Sequence, residues 1–248
     1  MLYRIAVVGD VRRKTQAYEL AQALDADLVL DTQASGLTAN GQRAWAAASM
    51  TNSDWTVVLE DDAIPCTDFH TRLAEALTST PTDVVSLYCG TSYPLQAQDV
   101  YRLAITEADN AGANYFTLPN LWHTVGVAIR TPLVKQMLEH IDGLTLPLDE
   151  AITTWMLAEG RRAAYTHPSL VDHRDDHTVI QHPDGIERTM PEKHGGMPGN
   201  AEGTQEVRSN RLHHPHSRPH LLPKTPNHLA PIQGAQRPPQ APNSLLPP

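Results

Sequence analysis

Trp55-Thr56-Val57-Val58-Leu59-Glu60-Asp61-Asp62-Ala63-Ile64-Pro65 is an apolar run with β-branched members that stops at three consecutive carboxylates. Thr56 to Leu59 have the composition of a central strand in a parallel sheet. The acids then fall at the strand's C-terminal end, where open α/β sheets bind their ligands. Adjacent carboxylates repel one another unless a cation or hydrogen-bond donors neutralise them. Mg2+ or Mn2+ shared with substrate phosphates suits their oxygens. The competing reading is a solvated acidic turn, the ordinary fate of a charge run, but an apolar strand immediately before the acids favours a site.

Upstream, Tyr3 to Val8 reads as a buried strand ended by Gly9-Asp10. A helix follows with Ala17, Leu20, Ala21 and Leu24 on one face, then a short strand from Asp27 to Leu30. This β-α-β order implies parallel strands. Arg12 and Arg13 sit just past a strand end, where basic donors meet a nucleotide's phosphates or ribose; Arg12 is the one assigned to the donor. Asp31 ends the second strand and is either an acceptor for ribose or base, or a turn residue or cap. Asn40 to Ser49 reads as a helix capped at Asn40-Gly41, with Trp45 and Ala48 inward.

Downstream, Thr67 or Asp68 is expected to cap a helix whose face is Phe69, Leu73, Ala76 and Leu77. Asp83 to Tyr88 is another strand. Residues 91 to 114 read as a long polar loop, a candidate acceptor lid. Tyr115 to Leu118 and Thr124 to Ile129 read as paired or adjacent strands. Pro132 opens a helix with Leu133, Val134, Met137, Leu138 and Ile141 inward. Leu148-Asp149-Glu150 starts another, where the acids suit the helix dipole. Ala163 to Tyr165 is a last short strand. It leads to His167, His173 and His177 among carboxyls, a pattern consistent with transition-ion ligation.

Composition points to one domain and a tail. Of 20 prolines, 12 lie at or after Pro191, in company with six histidines and few apolar residues. The reading is therefore a domain over residues 1–190 and a Pro/His-rich disordered tail over 191–248. Net charge is −9, leaving about −12 on the part before Pro191. That disfavours nonspecific binding to nucleic acid or anionic membrane. Cys66 and Cys89 are the only two cysteines, so no disulfide framework is implied and a cytoplasmic location, the host's if phage-encoded, is expected. The apolar start is too short for a signal peptide, and no run reaches the length of a membrane span. Oligomeric state is not legible.

Leu59-Glu60-Asp61-Asp62-Ala63 with Pro65 and Phe69 resembles the Asp-x-Asp region of GT-A-type nucleotide-sugar glycosyltransferases, particularly bacterial and bacteriophage members with Leu-Glu-Asp-Asp. Asn40-Gly41-Gln42-Arg43-Ala44-Trp45 and Pro168-Ser169-Leu170-Val171-Asp172-His173-Arg174 resemble two other blocks of the phage-type enzymes, and the similarity spans about residues 3 to 188. It implies an α/β, Rossmann-like domain with a mostly parallel central sheet flanked by helices. It further implies a Mn2+ or Mg2+ ion on Asp62 and His173, with His177 the alternative to His173. Asn40, Arg43, Glu60, Asp61 and Arg174 become donor contacts along with Arg12 and Asp31, and Asp149 or Glu150 becomes the general base or an acceptor anchor. The implied reaction is metal-dependent hexosyl or pentosyl transfer from a nucleotide-sugar, foremost a UDP-sugar. The acceptor is a virion protein, a hydroxymethylated DNA base or a surface glycan. The chain departs from the pattern in opening the triplet with Glu60 and in carrying Thr178 where many relatives have Ser.

Two other classes compete. A metal-dependent nucleotidyltransferase or phosphohydrolase also clusters carboxylates, although no Gly-x-x-x-x-Gly-Lys-Ser/Thr loop is present. A non-catalytic sugar- or nucleotide-binding, virion-associated module is the third reading.

Overall fold

The computed structural model describes residues 1–90 and 94–174. The expected tail, His177, Thr178 and the carboxyls Asp175 and Asp176 lie outside the described residues. Among those described, β1 (Tyr3–Asp10), β2 (Asp27–Asp31), β3 (Trp55–Glu60), β5 (Val84–Ser86), β6 (Tyr115–Leu118), β7 (Gly126–Arg130) and β8 (Ala163–Thr166) form a seven-stranded sheet. Its order is β2-β1-β3-β7-β5-β8-β6. β4 (Ala63–Pro65) and β9 (Val171–His173) form a separate antiparallel pair. The helices are α1 (Lys14–Ala23), α2 (Leu37–Ser49), α3 (Phe69–Ser79), α4 (Gln98–Ala111), α5 (Thr131–Ile141) and α6 (Leu148–Ala158). In the main sheet β2, β1, β3, β5 and β8 point one way, and β7 and β6 point the other. The architecture is thus the α/β one expected, with a mostly parallel sheet between helices.

Both faces of the sheet are covered, which is why its central strands are apolar without alternation. Val57 and Leu59 of β3 pack with Phe69, Leu73 and Leu77 of α3, while Val58 turns to the other side. There it joins Trp45 of α2, Met137 and Ile141 of α5, and Ile152 and Trp155 of α6. Val7 of β1 packs on Ala17 and Ala21 of α1. Each step along a strand reverses the face, so one run supplies both cores.

The chain leaves β1 through α1 to β2, then returns through α2 to β3 on the other side of β1. This reversal opens a crevice at the C-terminal ends of β1 and β3, the place where such sheets bind ligands. Gly9 makes that crevice narrow. A Cβ there would lie 2.7 Å from Ala17 Cβ and 3.2 Å from Asp61 Oδ2, so α1 sits against β1 only because position 9 lacks a side chain.

Four local expectations are corrected. β1 continues through Gly9 and Asp10 because both pair in register with β2, Gly9 opposite Leu30 and Asp10 opposite Asp31. Residues 98–111 are helix and not loop. The covered side of α4 is Gln98, Tyr101, Ala104, Ile105 and Ala108, a stripe at helical spacing that the exposed Val100 and Leu103 blur. Gly112 ends α4 in the left-handed region at φ 60°. β6 and β7 are not neighbours: β6 pairs with β8, and β7 lies between β3 and β5. Finally, α2 begins at Leu37 with Gly36 at its N-cap, which places Asn40 inside the helix. Asp68 does precede α3, in the left-handed region at φ 58°, but makes no side-chain cap bond.

Candidate functional site

The acids at the end of β3 enter the crevice in three different settings. Asp61 is almost fully covered, its Oδ2 accepting from the Asp10 backbone N–H at 2.9 Å. Its Oδ1 is 2.6 Å from an Arg13 guanidinium nitrogen. Burial drives its carboxyl above the ordinary range, opposed by those two contacts. Asp62 Oδ2 accepts from the other terminal nitrogen of Arg13 at 2.6 Å and lies 3.4 Å from His173 Nε2. Burial acts to raise the Asp62 carboxyl as well, but His173 and Arg13 outweigh it and hold the group below the usual value. Glu60 Oε1 accepts from the Thr124 hydroxyl at 2.6 Å. Burial, reinforced by the charge of Asp62, pushes Glu60 up to about 7.

His173 reaches the triplet through strand pairing. β4 follows the acids directly and runs antiparallel to β9, with Ala63 opposite His173 and Pro65 opposite Val171. The Arg174 backbone N–H donates to the Asp62 carbonyl at 2.8 Å and extends the register by one residue. The Asp62–His173 pairing expected from the sequence is therefore a consequence of this ladder. The Arg174 side chain is exposed at its edge.

Further carboxyls come from α6. Asp149 and Glu150 both occupy its first turn, but Asp149 is half-buried and Glu150 exposed. Burial pushes Asp149 up to about 6, despite nearby backbone N–H groups that favour its charged form. The charge of Asp149 contributes to raising Glu60, so the two carboxyls share one electrostatic environment. A loop ties α6 to the triplet. Thr153 of α6 accepts from the Leu121 N–H at 2.9 Å and donates to its carbonyl at 3.1 Å. Three residues on, Thr124 holds Glu60, and the Glu60 N–H donates to the Val125 carbonyl at 3.0 Å.

The remaining sequence-assigned residues lie at the ends of β1 and β2 but not against the acids. Asp31 accepts from the Ser35 hydroxyl at 2.7 Å and from the N–H groups of Ser35, Gly36 and Gln33. These bonds, the Ser35 hydroxyl foremost, hold its carboxyl far below the carboxylate range. Asn40 is buried and donates to the Gly9 carbonyl at 3.0 Å, while Arg43 donates to Asn40 at 2.8 Å and to Asp31 at 3.2 Å. Together they fix the loop after β2 and the end of β1. Arg12 is exposed and paired with Asp10, whose carboxyl it holds at about 2.

Of the two neighbouring arginines past the end of β1, Arg13 touches the acids and Arg12 pairs with Asp10. Arg13 closes the 3-10 turn Val11–Arg13 and precedes α1, so no helical period marked its side. Thr124 and the 119–125 loop carried no signal either, because their contact with Glu60 depends on a non-local strand order.

The donor set fits a hard divalent cation of the kind that takes one or two protein ligands and fills its shell with phosphate and water. Asp62 Oδ1 is buried with no hydrogen-bond partner among the described residues, and His173 Nε2 adds a nitrogen beside Oδ2. Among the described residues no group of three or more His, Cys, Asp or Glu side chains converges as an all-protein cage.

No family model matches the chain, and no curated protein matches it. Solved structures do. A protein from STIV has 14% identity and a TM-score of 0.40, over 73% of this chain and 99% of that one. A glycosyltransferase involved in glycosylation of the major capsid of PBCV-1 has 11% identity and a TM-score of 0.37, over 66% and 82%. The mannosyltransferase PcManGT from Pyrobaculum calidifontis, in complex with GDP-Man and Mn2+, has 15% identity and a TM-score of 0.39, over 64% and 53%. At these identities and scores the likeness assigns neither substrate nor metal to this chain. Among the described residues no helix is long and apolar enough to cross a membrane.

Proposed function

We propose that the chain is a glycosyltransferase that moves a hexosyl or pentosyl group from a nucleotide-sugar to a hydroxyl acceptor. The observation that carries this reading is the contrast between two carboxyl settings whose charges both act on Glu60. Asp62 is kept ionised beside His173, while burial raises Asp149 to about 6. Groups whose environments drive their proton affinities apart divide ligand binding from proton transfer.

Asp62 and His173 are the residues that would hold Mn2+ or Mg2+, and such an ion, when bound, neutralises charge on the donor's diphosphate. Asp149 accepts the proton of the acceptor hydroxyl as that oxygen bonds to the anomeric carbon. The bond from that carbon to the diphosphate oxygen breaks, and its electron pair leaves with the nucleoside diphosphate. Asp149 is preferred to Glu150 because a base near neutral pH needs a raised carboxyl within the crevice. Glu60 is the triplet member free to meet the donor's ribose through its second oxygen, while Asp61 is taken up by Asp10 and Arg13. Asp31, Asn40 and Arg43 shape the floor on which the nucleoside rests, and Arg12 and Arg174 stand at its rim. A UDP-sugar is the first donor to test. Virion protein, hydroxymethylated DNA base and surface glycan are the acceptors, in that order.

The test is nucleoside diphosphate release from a panel of nucleotide-sugars, with and without Mn2+ and each acceptor class. Release from one donor, dependent on Mn2+ and accelerated by one acceptor, is expected. Binding without release would make the chain a sugar-nucleotide module, and pyrophosphate release from a nucleoside triphosphate would make it a nucleotidyltransferase.

A further inference from the structure

Arg13 is placed where a bound cation would have to contend with it. Its two terminal nitrogens lie 2.6 Å from Asp61 Oδ1 and 2.6 Å from Asp62 Oδ2. One guanidinium thus reaches both carboxylates, hydrogen-bonded to Asp62 and charge-paired with Asp61. Its side chain is 22% exposed, and its Nε is buried with no hydrogen-bond partner among the described residues. Arg13 sits between the short 3-10 turn Val11–Arg13 and the start of α1, so its backbone is fixed while the fork hangs from a flexible stem.

A cation held between the Asp62 carboxylate and His173 competes with Arg13, which lies beside the same oxygen as His173. A divalent ion bonds carboxylate oxygen at about 2.1 Å, inside the distance of the guanidinium nitrogen, and like charges that close repel strongly where water is scarce. The two contacts of Arg13 are unequal in what can replace them. Asp61 accepts from the Asp10 N–H on Oδ2, while its buried Oδ1 makes no hydrogen bond among the described residues and has the Arg13 charge 2.6 Å away. Asp62 has His173 beside Oδ2 and a buried, unpartnered Oδ1. Losing Arg13 therefore strands Asp61 and frees Asp62 for a cation.

Resting on the glycosyltransferase reading, we propose that Arg13 is a resident counter-cation that gives up its Asp62 contact when a divalent cation binds there and turns that arm of the fork to the donor's diphosphate, while keeping Asp61. Cation and nucleotide then bind with positive coupling. The ion alone must displace Arg13 against the attraction of Asp62, but with a diphosphate present the displaced guanidinium gains a new anion. The same group meets the additional negative charge that appears on the diphosphate when the bond to the sugar breaks. Arg13 is thus a donor-binding residue for the reaction, and it makes the site electrically neutral enough to stay folded without its ligands.

The experiment measures Mn2+ binding alone, UDP and GDP binding alone, and each nucleotide with Mn2+, by calorimetry on the full chain and on Arg13→Met. In the unaltered chain each ligand should strengthen the other by about tenfold, an ordinary coupling between sites. Arg13→Met should bind Mn2+ alone at least about tenfold more tightly, because the competing charge is gone, and should lose the coupling. Removing one member of a buried ion network destabilises it. Arg13→Met is therefore paired with the double variant Arg13→Met/Asp61→Asn, which restores the charge count and leaves Asp62 free. The double variant must show the same tighter Mn2+ binding and the same loss of coupling. Unchanged or weaker Mn2+ affinity in a folded double variant, or intact coupling, overturns the role of Arg13 and leaves the glycosyltransferase reading standing. Absence of Mn2+ and nucleotide binding in the unaltered chain removes both.

Discussion

His173 Nε2 lies 3.4 Å from Asp62 Oδ2, although 111 positions separate them in sequence, because β9 pairs with the strand that begins immediately after Asp62. Any ligand held between them is held by a backbone ladder and not by two loops, which is the kind of support that keeps a site in one geometry.

His173→Gln keeps a polar side chain of similar reach but removes the imidazole nitrogen. Mn2+ affinity should fall by about tenfold or more, since one of two protein ligands is lost. Melting temperature should change little, because β9 is held through its backbone and through buried Val171. Equal Mn2+ affinity in the variant, measured by calorimetry, would remove His173 from the ligand set.

Gly9→Ala tests the close approach of α1 to β1. The added methyl would meet Ala17 Cβ at 2.7 Å, which is backbone-anchored and cannot rotate away, and Asp61 Oδ2 at 3.2 Å. Overpacking of this kind costs about 1–3 kcal/mol. The same shift should lengthen the bond from the Asp10 N–H to Asp61, so nucleotide binding should weaken along with stability. A variant with unaltered melting temperature would show that α1 is not seated as described.

How much of this was legible in the sequence depends on the range over which each contact acts. Thr56 to Leu59 announced a central strand because burial on both faces leaves a composition that needs no partner to read. Trp45 and Ala48 were legible as core through helical spacing alone. α4 was not, since the exposed Val100 and Leu103 blur the stripe of Tyr101, Ala104, Ile105 and Ala108. The β6 and β7 placement failed because sheet order is set by non-local packing, and two strands close in sequence need not pair. In the site, the residue types were readable at the strand ends, but which arginine turned inward, and that Thr124 would hold Glu60, followed only from the folded register.

Stability should fall as pH rises from about 4 to about 7. The carboxyls of Asp149 and Glu60 are raised in the folded chain, to about 6 and about 7, above their ordinary values of 3.8 and 4.5. Between those limits the folded state binds more protons than the unfolded one. Its advantage is full below the ordinary values and is lost as pH passes the folded ones. Asp10, at about 2, and Asp62 act oppositely and only in more acidic solution. Asp149→Asn should flatten the slope near pH 6 in melting measurements. A slope of opposite sign from about pH 4 to about pH 7 would contradict the burial of both groups.

Asp62 and Asp149 should separate by what each variant breaks. Asp62→Asn keeps the side chain's shape but removes the charge that faces His173 and Arg13, so nucleotide-sugar binding in Mn2+ should weaken together with turnover. Asp149→Asn lies on α6, tied to Glu60 only through charge, and should leave donor binding nearly intact. If it is the base, turnover should drop by about 10²–10⁴-fold, the usual share of general acid–base catalysis. The pH–rate profile of the unaltered chain should then climb through about 6 as Asp149 loses its proton, and the variant should lack that limb. Glu150→Gln is the control on the same turn, exposed and outside the crevice, so its rate should stay near normal. A large loss in Glu150→Gln with none in Asp149→Asn would exchange the two assignments. Near-normal rates in both would reduce the pair to charges suited to the helix N-terminus and move the search for a base to Asp172, which sits beside His173 on β9.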